Sequence, residues 1–454
     1  MKLSINNFKT IRELKGFNFN SINIVSGVNS SGKTSFIQFL LLLKQTIEKQ
    51  SANPSLVFDG DLINLGSYND LVYKKDDKNE IEFEIEFNND ELEEKIAKQS
   101  IYSVKNLIIN VKYSFKDKNV ILKIIKFKYL SVFEDREKEH SIELQYNNGK
   151  YDVNTDTSLF GNFMPILDGD NLKPIQNATL SFNSFIPLTL INEDIGDEIK
   201  TQNILHFLND YFAKISYIGP LRAEPNDFYP QNKKNKYIGK NGEYAAQFLE
   251  EEAGNIVEFY NIQTNEPQKM SLSEAVKYWL CDEFNLAKDV TAEKTSDNKY
   301  TVNVVNHYDV KSTIRQVGFG ISQVLPIIVE GLRMDKNGIL ILEQPEIHLH
   351  PKVQSALFDF IYSLSLTGKK FFIETHSDHF ITRMRRRVAE DSNNLSEKIN
   401  LVFVEERESE HLFRKLNLDD MGTFDYFPAD FVEQTEDYGA IIMAQANKAK
   451  AKNN

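Results

Sequence analysis

The chain has 454 residues, enough for two or three domains with their own cores, and 41% hydrophobic and 26% charged residues are ordinary for a globular protein. The single cysteine, Cys281, excludes a disulfide framework and a cysteine-based zinc site, and no export signal or bilayer-length apolar run is visible, so we expect a cytoplasmic protein without membrane contact. A net charge of −13 excludes a surface that is basic throughout, although it leaves room for one local basic patch.

The first predicted elements are a buried strand, "SINIVSG" at residues 21–27, and an apolar helix, "KTSFIQFLLLLKQTIEK" at residues 33–49. Between them, "GVNSSGKT" satisfies the pattern G-x-x-x-x-G-K-[ST] in the strand–loop–helix context of a P-loop, whose backbone N–H groups face phosphates and whose lysine and hydroxyl reach the β and γ phosphates and Mg²⁺. A glycine–serine turn that contains Lys-Thr by chance is the alternative. The candidate nucleotide ligands, of which Thr34 is also a candidate Mg²⁺ ligand, are Gly27, Asn29, Ser30, Ser31, Gly32, Lys33, Thr34 and Ser35.

From about residue 80 the apolar period changes to two, beginning with "EIEFEIEF" at residues 80–87. The pattern continues through "LIINVKYSF", "VILKIIKFKYL" and "SIELQYNNGKYDV", the last with an Asn-Gly turn. This predicts an antiparallel β subdomain inserted into an α/β unit, with an acidic outer face that is either simply solvated or recruits a basic partner. Residues 155–200 are polar and irregular, helical patterns return in "NILHFLNDYFAKI" and "SLSEAVKYWLCDEFN", and the tail "ANKAKAKNN" is expected to be frayed.

Two further segments carry residues suited to anions. Arg222, in "ISYIGPLRAEP", follows a strand-like run and is suited either to a phosphate or neighbouring molecule or to a structural ion pair. "VGFGISQVLPIIVEGL" at residues 317–332 places Gly318, Gly320 and Ser322 at the start of an apolar helix, which is a second anion-binding design. One chain rarely needs two γ-phosphate cradles for one nucleotide, so the second is expected to serve the nucleotide of a neighbouring subunit.

The stretch "LILEQPEIHLHP" at residues 340–351 predicts a buried strand that ends at Glu343, the position of a Walker B acid that holds Mg²⁺. A buried strand that stops at a solvated acid is the structural alternative. Gln344 follows where a water-activating carboxylate is often found, and Glu346 comes two residues later. Farther along, "FFIETHS" ends a second strand next to His376, whose ring can bond to a γ-phosphate or to the attacking water.

Two charged clusters have alternative interpretations. His348 and His350 lie close to Glu346, but two histidines without a third firm ligand are more often interface or core residues than a metal site. "RMRRR" places four arginines on a predicted helix, where they either contact DNA phosphates or a partner or form a solvated face paired with the acids of "AED". The candidate DNA contacts are Arg383, Arg385, Arg386 and Arg387.

These motifs, in this order, resemble the ABC-type ATPases of the SMC, RecF and OLD group. "INNFKTI", "LINLGSYNDLVY", "YIGPLRAEP" and "IETHSDHFITRMRRRVAE", with the motifs quoted above, are similar to the AAA_15 and AAA_21 predicted ATPases, and "DDMGTFDYFPADFVEQ" is similar to their DUF3696-type C-terminus. The resemblance implies an α/β fold, a P-loop NTPase of ABC type with an inserted antiparallel β subdomain and a helical subdomain. The expected segments are an N-terminal ATPase lobe (1–75), the β-rich insertion (76–215), a helical arm (216–300), a C-terminal ATPase lobe (301–405) and a tail (406–454).

The resemblance also implies a head-to-tail homodimer or higher oligomer that sandwiches two ATP molecules. Lys33 and Glu343 of one subunit would then face Gly318, Gly320 and Ser322 of the other, with "EIHLHP" at the interface and His376 as the switch histidine. Relatives of this kind often act in bacterial defence against phage with a nuclease domain or partner. The segment after Ser377 is too short for a Toprim nuclease and its linker, so a nuclease or toxin effector is expected to be a separate protein encoded nearby.

The amide at Gln344 leaves three assignments open, because an amide can hold water but cannot take its proton. Glu346 supplies the base; or hydrolysis is slow, Gln344 only positions water and ATP acts as a clamp; or the alignment is shifted and Glu343 is the base.

Two functional classes follow from these features. The leading hypothesis is an ATPase that dimerises on ATP and regulates a nuclease or toxin in anti-phage defence. The rival is a RecF-like, DNA-associated ATPase in repair or recombination. A transporter ATPase is a weaker third class, since the β insertion and the Glu-Gln-Pro-Glu strand end are not typical of one.

Overall fold

The structure is a computed structural model, and it describes most of the chain. The described residues are 1–27, 32–92, 103–116, 119–133, 136–155, 178–192, 197–200, 202–232, 237–391, 394–407, 410–426 and 438–452. Residues 28–31 of the P-loop, with Asn29, Ser30 and Ser31, therefore lie outside the described part, as do residues 427–437 of the predicted C-terminal segment.

The described strands are numbered in chain order: β1 (Lys2–Phe8), β2 (Ile11–Asn18), β3 (Ile22–Gly27), β4 (Ile81–Asn88), β5 (Ser103–Lys116), β6 (Asn119–Phe133), β7 (Arg136–Asn147), β8 (Lys150–Thr155), β9 (Ala178–Asn183), β10 (Ile186–Asn192), β11 (Asp197–Lys200), β12 (Ile215–Ile218), β13 (Ile256–Asn261), β14 (Glu266–Ser271), β15 (Asp289–Lys294), β16 (Tyr300–Val305), β17 (Lys311–Thr313), β18 (Ile339–Glu343), β19 (Lys370–Glu374), β20 (Ile399–Arg407) and β21 (Glu410–Leu416). The helices are α1 (Lys33–Lys49), α2 (Tyr68–Leu71), α3 (Asn89–Leu92), α4 (Gln202–Ala213), α5 (Ala245–Glu251), α6 (Leu272–Lys277), α7 (Phe319–Arg333), α8 (Pro351–Ser365), α9 (Asp378–Glu390), α10 (Leu395–Lys398) and α11 (Tyr438–Lys452). No helix among these residues is both long and apolar enough to span a membrane.

The chain forms two compact units. Unit 1 contains residues 1–19, 34–213 and 406–411, and unit 2 contains residues 20–33, 214–405 and 412–454. The five segments expected from the sequence divide the chain more finely than these two units and stay a prediction.

Unit 1 is built on a seven-stranded antiparallel sheet of order β2-β1-β4-β5-β6-β7-β8. The predicted alternation in β4 is confirmed: the four apolar side chains from Ile81 to Phe87 are buried, and the glutamates between them are not. The inserted strands do not form a sheet of their own. Because β4 pairs with β1 from Leu3↔Ile85 to Asn6↔Glu82, they continue the sheet that the N-terminal strands begin. The Asn-Gly turn joins β7 to β8 with Asn148 and Gly149 at positive φ, as a two-residue hairpin requires.

The acidic face of this sheet is neutralised within the sheet. Lys112 on β5 lies 3.3 Å from Glu82 on the neighbouring β4, and Lys123 on β6 reaches across β5 to lie 2.5 Å from Glu80. Cross-strand pairs of opposite charge stabilise a sheet modestly. The face is therefore a solvated, paired surface, which is the simpler of the two interpretations of "EIEFEIEF".

Helix α1 is apolar around most of its circumference, and from Thr34 onwards it lies in the core of unit 1. Phe36 packs edge-to-face on Phe17, and Phe39 packs in the same way on Phe8, with ring centroids 4.7 and 5.1 Å apart. A helix that is apolar on all sides is stable only when it is buried, which explains the run of leucines that follows the P-loop.

The segment expected to be irregular at residues 155–200 contains three short strands, in the order β11-β10-β9. Residues 156–177 lie outside the described part. Pro187 lies in the central strand beside a shift in register between Pro187 and Thr189, where the missing N–H of proline is tolerated. Short strands interrupted by proline carry little periodicity, so the expectation of irregular structure was wrong there.

Unit 2 is built on a six-stranded sheet of order β12-β18-β19-β3-β20-β21, and the first five strands run parallel. All five residues of β18, "ILILE", are buried, which is why this strand reads as a continuous apolar run. The hydrophobic core of unit 2 extends to Trp279, whose ring packs edge-to-face on Phe360 with centroids 5.0 Å apart. The α/β architecture predicted from the sequence is confirmed.

The C-terminal segment includes helix α11 rather than a frayed tail. Lys448 donates hydrogen bonds to the carbonyl oxygens of Val388, at the end of α9, and of Asp420. A lysine that donates to the last carbonyl groups of another helix is a tertiary contact that stabilises this polar, alanine-rich helix.

Candidate functional site

Four loops of unit 2 meet at one edge of its sheet. Because β12, β18, β19 and β3 are parallel neighbours, their carboxyl ends lie on the same side. The loops that leave these ends carry Arg222, Glu343, His376 and the P-loop respectively. Ligands of parallel α/β sheets bind at such an edge.

The described ends of the P-loop show why glycine and lysine are needed. Gly27 has a φ of +141°, and a Cβ there would collide with the backbone carbonyl of Val404. Gly32 also has a positive φ, of +90°. Lys33 is buried and its Nζ donates a 3.1 Å hydrogen bond to the carbonyl oxygen of Gly27, which closes the loop on itself. The lysine is thus held at the loop that the sequence assigns to the phosphates.

The two hydroxyl residues after the lysine differ. Thr34 is half-buried in the first turn of α1. The Oγ of Ser35 is buried and lies 2.9 Å from the Oγ1 of Thr10, so it has a structural partner within unit 1. Thr34 therefore remains the better candidate for an Mg²⁺ ligand.

Glu343 ends β18 as a buried acid. Its Oε1 accepts a 3.0 Å hydrogen bond from the hydroxyl of Tyr217 on β12. Burial raises the pKa of the Glu343 carboxyl, and the Tyr217 hydroxyl and the charge of Arg222 offset part of that rise. An acid kept in this environment fits a cation-binding role better than the structural alternative, in which it is solvated.

Gln344 is held by its backbone. It adopts a left-handed φ of +43°, its N–H donates to the carbonyl oxygen of Glu374, and its own carbonyl accepts from Nη1 of Arg222. Residues other than glycine rarely adopt this φ, and they cluster at functional sites when they do. The turn at Gln344 directs the chain so that Glu346 returns towards β19.

Glu346 and His376 are brought together directly. The buried carboxylate of Glu346 accepts a 2.6 Å hydrogen bond through Oε1 from the backbone N–H of His376. Burial raises the pKa of the Glu346 carboxyl, although this hydrogen bond opposes the rise. Burial and then the charge of Lys33 lower the pKa of His376, so its imidazole is uncharged at neutral pH.

Lys33 belongs to the same electrostatic cluster. Burial lowers the pKa of its amine, and the charges of Glu374 and Glu346 oppose that shift. One cation therefore interacts with acids from two neighbouring strand ends. The sequence analysis did not name Glu374, although it ends β19 as Glu343 ends β18, and the same strand-end rule would have found it. Tyr217 gave no signal in the sequence, since its role depends on the neighbouring strand.

The second glycine segment forms the N-terminal end of α7. Gly318 is the N-cap residue, and Gly318 and Gly320 line a cavity of about 560 Å³ together with Leu286, Val304 and Val317. Ser322 is buried and its Oγ donates to the carbonyl oxygen of Phe319, so the hydroxyl folds back on its own helix. The ring of Phe319 is 59% exposed beside these glycines.

The histidines of "EIHLHP" have structural roles. The ring of His348 packs against Phe319 with centroids 6.2 Å apart. His350 is the N-cap of α8, where its Nδ1 accepts from the N–H of Lys352 and Pro351 occupies the first helical position. In the described part of the chain, no group of three or more His, Cys, Asp or Glu side chains is arranged to hold a metal ion.

The four arginines of α9 do not form one basic face. Arg385 is buried, and its Nε donates to the carbonyl oxygen of Gly422. Arg386 and Arg387 pair with Glu390, and Arg387 also lies 2.6 Å from an oxygen of Asp359. Arg383 lies 3.7 Å from the other oxygen of that aspartate. The prediction of a DNA contact is therefore wrong for Arg385. Pairing with an acid of "AED" describes Arg386 and Arg387, whereas the acid beside Arg383 is Asp359 on α8.

A family model described as "AAA ATPase domain" matches residues 1–381, more than half of the chain. No curated protein matches. Among solved structures, the chain is similar to an SMC head domain from Thermotoga maritima, with 10% identity, a TM-score of 0.37, and coverage of 91% of this chain and 97% of that one. It is also similar to an SMC head bound to the C-winged helix domain of ScpA, with 12% identity, a TM-score of 0.38, and coverage of 92% and 97%. The family match includes the P-loop, the strand that ends at Glu343, and His376.

Proposed function

The chain belongs to the AAA ATPase domain family and is an ATPase, and from this premise we propose that it hydrolyses ATP at the carboxyl edge of the unit 2 sheet. The observation that carries the proposal is the convergence of Lys33, Glu346 and His376 at that edge, joined by a 2.6 Å hydrogen bond and by mutual electrostatic effects. Buried groups with perturbed pKa values that converge in this way are typical of catalytic sites.

We assign the proton-accepting role to Glu346. The backbone of Gln344 is fixed by two hydrogen bonds and its amide cannot take a proton, while Oε1 of Glu343 is occupied by Tyr217. The raised pKa of Glu346 makes it a stronger base than an ordinary carboxylate, and the hydrogen bond from the His376 N–H stabilises its ionised form. Lys33 would neutralise charge on the β and γ phosphates, and the uncharged His376 would hydrogen-bond to the γ phosphate.

The residues present also fit Mg²⁺. Glu343 offers a buried carboxylate, the kind of hard oxygen ligand that this cation prefers. The hydroxyl of Thr34, which directly follows Lys33 in the chain, stays the ligand predicted from the P-loop pattern. When bound, the ion supplies positive charge to the phosphates. A cation would also compensate for the burial of Glu343.

The second glycine segment, at the start of α7, is proposed to complete the site of a second copy. The first N–H groups of α7 lack acceptors within the helix, and the glycines around Phe319 leave the backbone accessible to a phosphate. The largely exposed ring of Phe319 is apolar surface that a second copy would cover. The resulting assembly is a head-to-tail homodimer with two ATP molecules at its interface.

The biological role is proposed from the family resemblance alone. A dimer that opens and closes with ATP would control a separate nuclease or toxin in anti-phage defence, in the cytoplasm. The DNA-associated alternative stays a second hypothesis, and the arginines of α9 add nothing to it because acids and backbone engage them.

A mixing experiment tests the composite site. Lys33→Ala removes the P-loop amine and Ser322→Arg blocks the start of α7, so each variant alone should lose ATP turnover. In a mixed dimer, the intact Lys33 of one copy meets the intact Ser322 of the other, and we expect turnover to return to about a quarter of the wild-type value when the copies pair at random. Separate assays of each variant are the controls.

Failure of the mixture to regain activity, although both variants bind each other, would show that the site is complete within one chain. Sedimentation or light scattering with and without ATP measures the pairing itself. Adding the Lys33→Ala change to the Ser322→Arg chain provides a double variant that cannot complement either one.

A further inference from the structure

Arg222 is a buried arginine in the loop after β12. Its side chain is only 7% exposed, and its Nη1 donates hydrogen bonds to the carbonyl oxygens of Pro220, at 3.0 Å, and of Gln344, at 3.1 Å. Two acceptors on one nitrogen fix the plane of the guanidinium group. Arg222 therefore has one defined orientation against the turn that follows β18.

The opposite edge of the same group faces no protein acceptor. Nε and Nη2 of Arg222 are buried, and neither has a hydrogen-bond partner among the described residues. These two N–H groups point the same way, and together they form the edge with which arginine binds an oxygen atom or an oxyanion. Leaving two desolvated donors unpaired is unfavourable, so the structure is built for an oxygen ligand at this edge.

A buried acceptor in the same cluster is also unpaired. Oε2 of Glu346 has no hydrogen-bond partner in the described part of the chain, while Oε1 is held by His376. The charges of Arg222 and Glu346 act on each other. Among the described residues no hydrogen bond joins the two side chains, so the two donors of Arg222 and Oε2 of Glu346 are buried without a partner. A water molecule that accepts from the arginine and donates to the carboxylate satisfies both.

The remaining charges link Arg222 and Glu346 to the other residues of the proposed site. Glu346 also acts on Lys33, the amine assigned to the phosphates, and Glu343 acts on Arg222. Glu346 thus interacts with two cations, Lys33 of the P-loop and Arg222 of the loop after β12. Burial lowers the pKa of Arg222 to about 10, which leaves the guanidinium charged at neutral pH.

We propose that Arg222 is a catalytic residue of ATP hydrolysis whose Nε–Nη2 edge holds the attacking water against Oε2 of Glu346. The inference rests on the proposed function, since it needs Glu346 as the base. The water accepts a hydrogen bond from Arg222, passes one proton to Glu346, and forms the new bond to the γ phosphorus with its remaining lone pair. The bond between that phosphorus and the β–γ bridging oxygen breaks, and ADP leaves with the electron pair.

Steady-state kinetics of Arg222→Gln and Arg222→Lys test this role. A misplaced water lowers the rate of the chemical step without changing nucleotide affinity, so we expect kcat to fall about 10²-fold in Arg222→Gln while KM for ATP stays close to the wild-type value. Arg222→Lys keeps the charge but lacks the two-donor edge, and should recover only a minor part of kcat. Arg333→Gln, which removes a guanidinium that is 13% exposed from the end of α7, should leave kcat unchanged.

Chemical rescue separates a catalytic role from a structural one. Free guanidinium ion at millimolar, non-denaturing concentration should raise kcat of Arg222→Ala and leave the wild type unaffected, with thermal melting recorded for every variant. An unchanged kcat in Arg222→Gln, a rise in KM alone, or no response of Arg222→Ala to guanidinium would each overturn the inference. Lys33→Ala is assayed in parallel to separate the two proposals. Normal ATP hydrolysis by Lys33→Ala would overturn the proposed function itself. An inactive Lys33→Ala together with wild-type turnover in Arg222→Gln would overturn only the role of Arg222.

Discussion

The two main sheets of this protein both carry glutamates, but those of unit 1 are partly exposed and those of unit 2 are buried. On the seven-stranded sheet of unit 1, Glu80 and Glu82 are 30% and 43% exposed and both lie next to Lys112 of the neighbouring strand β5. At the strand ends of unit 2, Glu343, Glu346 and Glu374 are all more than nine-tenths buried. Solvated, paired charges cost little, whereas buried acids cost desolvation energy. The acids of unit 1 thus cover a sheet, and those of unit 2 indicate a reaction.

The strongest test of this comparison removes the charge of one buried acid. In Glu346→Gln the proposed base is lost, and we expect kcat for ATP hydrolysis to fall about 10²–10⁴-fold, with ATP affinity retained. Phosphate release measures the rate and equilibrium nucleotide binding measures the affinity. The matched change on the solvated sheet, Glu82→Gln, should leave both values unaltered. Wild-type turnover in Glu346→Gln would break the comparison and remove Glu346 from the mechanism.

The pH dependence of kcat sharpens the comparison. The ionised form of Glu346 is the base, and burial raises its pKa above the ordinary glutamate value of 4.5. Turnover should therefore be highest above this raised pKa and fall as the pH drops through it, by about tenfold per pH unit below it. This acidic limb of the kcat–pH profile should lie at higher pH than the limb that a solvated glutamate would produce. It should be absent from the residual activity of Glu346→Gln, and a limb that persists there belongs to another group.

Gln344→Glu addresses the clamp hypothesis. Because Gln344 contributes two backbone hydrogen bonds to the site, exchange of its side chain should change kcat by less than about tenfold if Glu346 is already the base. Single-turnover hydrolysis measures this step apart from product release. A rise far beyond that value would instead show that the amide keeps hydrolysis slow and that ATP acts mainly as a clamp. Gln344→Ala, which keeps the backbone but removes the amide, is the control.

The smallest expected effect concerns the solvated acids. Glu82→Gln removes one member of a partly exposed pair with Lys112, and we expect the free energy of unfolding to change by no more than about 0.5 kcal/mol. Urea denaturation of the two proteins measures the difference. A loss above about 2 kcal/mol would show that the acidic face of unit 1 is a structural element in its own right.

Local patterns predicted much of the fold and part of the site. The alternation in β4, the Asn-Gly hairpin, the buried strand β18 and the glycine–lysine loop are all visible in short windows, because each depends on backbone conformation or on burial of neighbouring side chains. The strands at residues 178–200 and helix α11 were missed, since proline and polar residues hide their periodicity and tertiary contacts such as that of Lys448 stabilise them. Arg385 was misassigned for the same reason, because a burial partner distant in sequence decides its environment.

The sequence by itself determined that a phosphate-binding loop and a strand-end acid are present, since both are encoded by residues close together in the chain. Only the tertiary structure decided which groups act together. Tyr217 meets Glu343, Arg222 meets the carbonyl of Gln344, and Glu346 meets the N–H of His376, because parallel strands bring loops that are distant in sequence to one edge. Pairing between strands is long-range, so no local window of the sequence contains it.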